Sequence, residues 1–199
     1  MTKPLRRSPY KMNHTIIAID IAKSSFHVVS MKHNKVRTDR AFTRQKLKEW
    51  LAKQPASLVV IEACGSAHYW ARYAQSLGHQ AKLIAPKHVK AFRQGHKTDQ
   101  NDALAIATAS LQPKVKSVAV KTVEQQGLQS IDRISQHLSD NQTAVSNMLR
   151  GLLAEFGIII PKGISAFKER IPEILEDGEN GLPDPLRHQI AAMFYSYLD

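Results

Sequence analysis

Three apolar stretches open the chain, each short enough for a strand. Residues 15–22, Thr15-Ile16-Ile17-Ala18-Ile19-Asp20-Ile21-Ala22, are almost continuously apolar; residues 24–31 alternate approximately, and residues 35–42 complete the series. Their short links suit an antiparallel meander. Thr43 then provides an N-cap for a helix through Leu47, Trp50 and Leu51 that ends near Pro55. A strand over residues 58–63 follows, then a helix over residues 67–77 with Gly78 at its C′ position, then a strand over residues 80–85 before Pro86. Three strands in series followed by alternating helix and strand predict an α/β fold, a mixed sheet flanked by helices.

Two of these strands carry an acid where a buried strand should have none. Asp20 interrupts the first and Glu62 ends Leu58-Val59-Val60-Ile61-Glu62. A carboxylate among β-branched residues is costly to bury unless it is paired or binds a metal. Read singly, either acid also fits a strand-end carboxylate hydrogen-bonded to a loop. Further on, Lys97-Thr98-Asp99-Gln100-Asn101-Asp102-Ala103-Leu104-Ala105-Ile106-Ala107 sets two carboxylates three residues apart at a helix start. Positions i and i+3 are neighbours on a helix, and Ala103, Leu104, Ile106 and Ala107 supply an apolar stripe to dock it. On this stretch alone, Asp99 also reads as an N-cap and Asp102 as a first-turn partner of the helix dipole. Together Asp20, Glu62, Asp99 and Asp102 make a four-carboxylate set suited to hard divalent cations, magnesium or manganese.

The run Ile17-Ala18-Ile19-Asp20-Ile21-Ala22-Lys23, then Ile61-Glu62-Ala63-Cys64-Gly65, then Lys97-Thr98-Asp99-Gln100-Asn101-Asp102-Ala103 resembles the DEDD transposases of the IS-one-ten insertion-sequence family. These are relatives of the Piv-type DNA invertases and include bridge-RNA-guided recombinases. The resemblance covers about residues 13–165. It implies a ribonuclease-H-like, specifically RuvC-like, domain in which Asp20, Glu62, Asp99 and Asp102 are the catalytic, metal-binding residues. It also implies DNA and, in the full-length protein, a structured guide RNA as partners. In the family a C-terminal domain supplies a nucleophilic serine; no segment here matches it, so this chain is expected to be an N-terminal portion.

Charge adds to this picture. Residues 1–53 carry thirteen basic and three acidic side chains, a net +10; residues 54–123 carry nine and three, +6; residues 124–199 carry six and eleven, −5. The basic character belongs to the half that holds the four acids, and such a field favours a polyanion through phosphate contacts and counterion release. Within it, residues 87–97 bring Lys87, Lys90, Arg93 and Lys97 next to the Asp99 helix, a candidate phosphate track; Val89 and Phe92 also fit an ordinary surface helix with one buried side. His68, Tyr69 and Trp70 read as core packing around the Trp before a base-stacking platform. The single cysteine, Cys64, excludes an intrachain disulfide framework and a thiolate zinc site, and suits a reducing cytoplasm. No apolar run approaches the ~18 residues of a membrane span.

Beyond Pro113 the pattern becomes helical. Leu128, Ile131, Ile134, Leu138, Val145, Met148, Leu149, Leu152 and Leu153 recur at spacings of three, four and seven, which predicts a helical hairpin or coiled-coil arm with a break near Ser139-Asp140-Asn141. Acidic helices over residues 165–175 and 185–198 follow. The expected organisation is a flexible basic arm (1–13), a RuvC-like catalytic domain (14–118), a helical arm (119–163) that self-associates as a dimer or higher oligomer, and an acidic helical segment (164–199). The expected function is DNA transposition or site-specific recombination through metal-dependent strand cleavage and transfer. The alternatives are a metal-dependent nuclease of the Holliday-junction kind and a non-catalytic nucleic-acid-binding assembly module.

Overall fold

A computed structural model describes residues 15–33, 35–93 and 98–198. The chain forms two compact units, Met1–Val123 and Glu124–Asp199. The basic arm over residues 1–13 and Lys97 lie outside the described residues.

The first unit is built on a six-stranded sheet: β1 (Ile16–Ile21), β2 (Phe26–Lys32), β3 (Lys35–Phe42), β4 (Leu58–Glu62), β5 (Gln80–Ile84) and the two-residue β6 (Ser117–Val118). Its order is β3-β2-β1-β4-β5-β6. The first three strands pair antiparallel, β4 and β5 join parallel to β1, and β6 closes the far edge antiparallel. This is the ribonuclease-H-like arrangement expected from the series of elements. β3 is an edge strand whose residues are mostly exposed, and Lys35, Arg37 and Arg40 blunt it. β6 escaped sequence reading because two exposed residues carry no periodicity.

Side chains alternate across a strand, so each strand feeds two cores. Ile17 and Ile19 of β1, Val59 and Ile61 of β4, and Leu83 of β5 face α1 (Arg44–Ala52) and α2 (Ala67–Ser76), where Leu47, Leu51, Trp70, Ala71 and Ala74 are buried. Thr43 caps α1, its hydroxyl accepting from the Lys46 amide, and Gly78 follows α2 at φ +84° as its position required. The opposite face, Ile16, Ala18, Leu58, Val60 and Ile84, lies beneath α3 (Pro86–Lys90) and α4 (Asp99–Ser110). Ala103, Ala105, Ala107 and Ala109 are all buried, so α4 seats on β1 and β2 through small side chains and one large one, Ile106. Leu104, expected in that docking stripe, is instead 38% exposed.

The second unit comprises α5 (Val123–Ala154), α6 (Ile164–Glu176) and α7 (Asp184–Leu198). Leu149, Leu153, Phe167, Ile171, Ile190 and Phe194 form its core. Arg187 of α7 donates to the Ile174 and Leu175 carbonyls, satisfying the last turn of α6. The break expected near Ser139 does not exist: α5 is one helix of 32 residues, about 48 Å long at ~1.5 Å per residue. The arm is therefore not a hairpin. Its polar middle is accommodated on the helix itself, with Gln136 donating to Asp140, Thr143 donating to the Ser139 carbonyl, and Asn141 bonded to His137. Without Gly or Pro there, polarity alone does not end a helix. Among the described residues no helix is long and apolar enough to cross a membrane.

Because α4 rests on alanines, its height above β1 is set by their size. Ala105→Leu should lift it and cost about 1–3 kcal/mol of overpacking, read as a lowered midpoint in thermal denaturation; an unchanged midpoint would mean that α4 has slack above the sheet.

Candidate active site

The alternation that builds the second core also aims the acids. Ile16 and Ala18 face α4, and Asp20 is next in that row; Leu58 and Val60 face α4, and Glu62 is next in theirs. The parallel register runs from Ile16 opposite Leu58 to Ile19 opposite Ile61. One further step sets Asp20 beside Glu62 at the C-terminal ends of neighbouring parallel strands, where α/β sheets commonly hold their sites. α4 contributes Asp99 and Asp102 from its first turn. Its N-cap is Thr98, whose hydroxyl accepts from the Asn101 amide, so Asp99 is not the cap, and capping does not account for its carboxylate.

The four acids share one electrostatic environment. Burial and the charges of Asp102, Asp99 and Glu62 push the Asp20 carboxyl up to about 6, against a smaller opposing pull from His27. Burial, Glu62 and Asp20 likewise raise the thiol of Cys64, two residues past Glu62, which keeps it protonated and unreactive. Asp102 is 7% exposed and forms an ion pair with Arg93, Nε to Oδ1, two buried atoms with no other partner among the described residues. Arg93 thus spends its charge on the acid cluster, whereas Lys87 and Lys90 stand exposed on α3.

Three residues around the acids were not singled out from sequence. His27, opposite Asp20 in the β1–β2 register, bonds through Nε2 to Asp39 Oδ1 at 2.7 Å. Gln100 of α4 donates to the other oxygen of Asp39. The β2–β3 hairpin is thereby tied to the first turn of α4, across the strand that carries Asp20. No periodicity marks these residues; only the register of three strands shows that they meet.

An all-carboxylate set fits a hard divalent cation in donor chemistry. In side-chain placement it is unfinished: among the described residues no three His, Cys, Asp or Glu side chains lie close enough to hold one ion together. The charges of Asp102, Asp99 and Glu62 act on Asp20, and Arg93 pairs with Asp102.

Residues 17–158 match the profile of the transposase family of IS110 type that is named for its DEDD residues. The chain belongs to that family. It is 40% identical over 177 residues to a probable family 20 transposase of Pseudomonas aeruginosa, covering 88% of this chain and 52% of that protein. It is 36% identical over 168 residues to the transposase for insertion sequence element IS1328 of Yersinia enterocolitica (84% and 50%). It is also 35% identical over 185 residues to the transposase for insertion sequence element IS1111A of Coxiella burnetii (92% and 51%). The chain spans about half the length of these relatives. Among solved structures it is similar to Thermus thermophilus RuvC in complex with a Holliday junction substrate, at 11% identity and TM-score 0.38, covering 53% of this chain and 99% of that one. The fold assignment rests on the strand order and not on that likeness.

A carboxyl whose folded-state pKa is raised binds more protons folded than unfolded, so stability falls as pH rises from about 4 through about 6. Asp20→Asn removes this cost. The variant should melt higher than the parent at pH 7.5 in chelator, with the gain shrinking as pH falls through about 6 and vanishing below the unfolded value of 3.8, where the parent's carboxyl is protonated in both states. A gain that does not depend on pH would mean that Asp20 is not strained by charge.

Proposed function

We propose that this chain is the RuvC-like half of a DNA transposase or site-specific recombinase, acting on phosphodiesters with divalent cations held by Asp20, Glu62, Asp99 and Asp102. The observation that carries this reading is the raised Asp20 carboxyl. Burial raises it first, and the charges of Asp102, Asp99 and Glu62, from α4 and β4, raise it further, so the four acids act on one another. The family to which the chain belongs is named for such residues. Bound magnesium or manganese supplies charge neutralisation at the attacking and leaving oxygens of a phosphoryl transfer.

The chain's own residues do the rest. Asp20 and Glu62 sit on rigid strand ends and fix where a scissile phosphate is presented. Asp99 and Asp102 ride on α4, whose position is tied down by the alanine seat and by Gln100 on Asp39. Arg93 neutralises Asp102 and, beside the acids, would also be able to donate to a substrate phosphate. Lys87 and Lys90, exposed on α3, add further positive charge for a phosphate backbone. In full-length relatives of the bridge-RNA type a structured RNA selects the DNA sites, and the same basic surface of residues 1–123 is the part of this chain suited to it. No serine of this chain is assigned as the nucleophile.

The helical arm belongs to the same proposal. Ile131, Ile134, Leu138, Met148 and Leu152 of α5 are 40–63% exposed, and Ile131, Leu138, Val145 and Leu152 fall every seventh residue. That is a coiled-coil seam, and a second copy of the chain would cover it. Light scattering at high micromolar concentration should give a dimer or larger, and Ile131→Lys with Leu138→Lys should return it to monomer; a parent that is already monomeric would remove self-association from the reading.

Thermal melts decide the metal reading. Millimolar magnesium or manganese should raise the midpoint, because a ligand that binds only the folded state stabilises it by mass action. Asp20→Asn and Asp102→Asn should each abolish the shift. If the shift survives both substitutions, the acids are structural, and a non-catalytic nucleic-acid-binding module becomes the better reading.

A further inference from the structure

On the sheet face opposite the carboxylates, α1 and α2 bring basic and aromatic side chains together in a way that neither the core nor the acid site uses. Tyr69 is 40% exposed, and among the described residues it is the one exposed aromatic of its unit. Its ring lies parallel to that of Tyr73 one helical turn on, at 8° with centroids 6.5 Å apart. Lys48 Nζ sits 5.6 Å from the Tyr69 centroid and 5.3 Å from that of Tyr73. The Arg44 guanidinium lies 5.9 Å from Tyr69 and 5.3 Å from the buried Trp70. Among the described residues no hydrogen bond or ion pair engages the Arg44 or Lys48 head group, so their N–H donors are left for solvent or a ligand.

We propose that Arg44, Lys48, Tyr69 and Tyr73 form a binding platform for an unpaired DNA strand, the tyrosines stacking bases and the two cations holding phosphates. DNA as the partner rests on the function proposed above; the stacking chemistry rests on this cluster. An exposed ring flanked by unpaired cations matches a nucleotide, which offers a flat π face and an anion together. A duplex keeps its base faces stacked, so the ring has work only with unpaired nucleotides. The location agrees. Phe26, under Arg44, pairs with Ile21, the residue after Asp20. α2 begins five residues past Glu62, and Tyr69 is in its first turn. The platform therefore flanks the same end of the sheet as the acids, and a strand passing over that end would run onto it.

Fluorescence anisotropy of the whole chain with a labelled single-stranded oligothymidine tests this, beside a blunt DNA duplex and an oligouridine of equal length. Tyr69→Ala should weaken binding of the single DNA strand about five- to hundredfold, the range for one lost stacked base. It should leave duplex binding within about twofold, and Tyr69→Phe should bind like the parent. Lys48→Gln should flatten the salt dependence by about 0.7 in log–log slope, one phosphate on a single strand. Equal binding by Tyr69→Ala and parent, or an equal loss on duplex, would overturn the platform. A Tyr69-dependent preference for oligouridine would overturn its assignment to DNA. Tyr69→Ala should keep the parent's metal-dependent melting shift, so an unchanged affinity with that shift intact sinks the platform alone, whereas loss of the shift in the parent sinks the catalytic reading alone.

Discussion

The first unit is organised by a repulsion. Asp20 and Glu62 occupy adjacent positions on parallel strands, roughly 4.8 Å apart in the hydrogen-bonding direction, and α4 adds two more carboxylates from above. Like charges at that range, partly out of water, cost free energy whatever their use. The surrounding structure is arranged so that the fold survives it. Asp20 keeps its proton up to about pH 6, Arg93 lies against Asp102, and the helix dipole favours both acids in the first turn of α4. Removing the Asp20 carboxylate would relieve that cost, whereas removing Asp102 would leave the Arg93 guanidinium without its partner.

The four carboxylates stood out in the sequence because of where they fall. Asp20 breaks an apolar strand at a place where any other polar residue would also be costly, and Lys97-Thr98-Asp99-Gln100-Asn101-Asp102-Ala103 stands at a helix start. Strand and helix periods were strong enough to give β1 to β5, the Thr43 cap and the Gly78 stop. What escaped was whatever depends on register or on side chains satisfying one another: the tie of His27 and Gln100 through Asp39, the pairing of Arg93, and β6. The break expected at Ser139 failed because polar residues at helical spacing hydrogen-bond one another along α5 without disturbing its backbone.

The aromatic residues after Glu62 divide in a way that sequence could not foretell. Tyr69 and Trp70 are adjacent, and on a helix adjacent residues point about 100° apart. Trp70 turns inward and packs edge-on to Phe26 at 4.8 Å, so Tyr69 is carried outward onto the α1 side. Core packing around the Trp, the expected reading, is what the structure shows. Because Trp70 holds the helix in that rotation, the exposed ring beside it is rigidly placed, and little ordering cost attaches to using it.

Charge also divides labour along the chain. A polyanion drawn to residues 1–123 meets no such attraction from residues 124–199, which carry eleven acids against six bases. The exposed Ile131, Ile134 and Leu138 of α5 therefore cannot be explained as a nucleic-acid surface: they offer phosphates neither donors nor positive charge. Nor do they serve the core of their own unit, whose α5 contribution begins only near Val145 and is completed by Leu149 and Leu153. Their sevenfold spacing is what the same seam on a second copy would complement, which is the association proposed above.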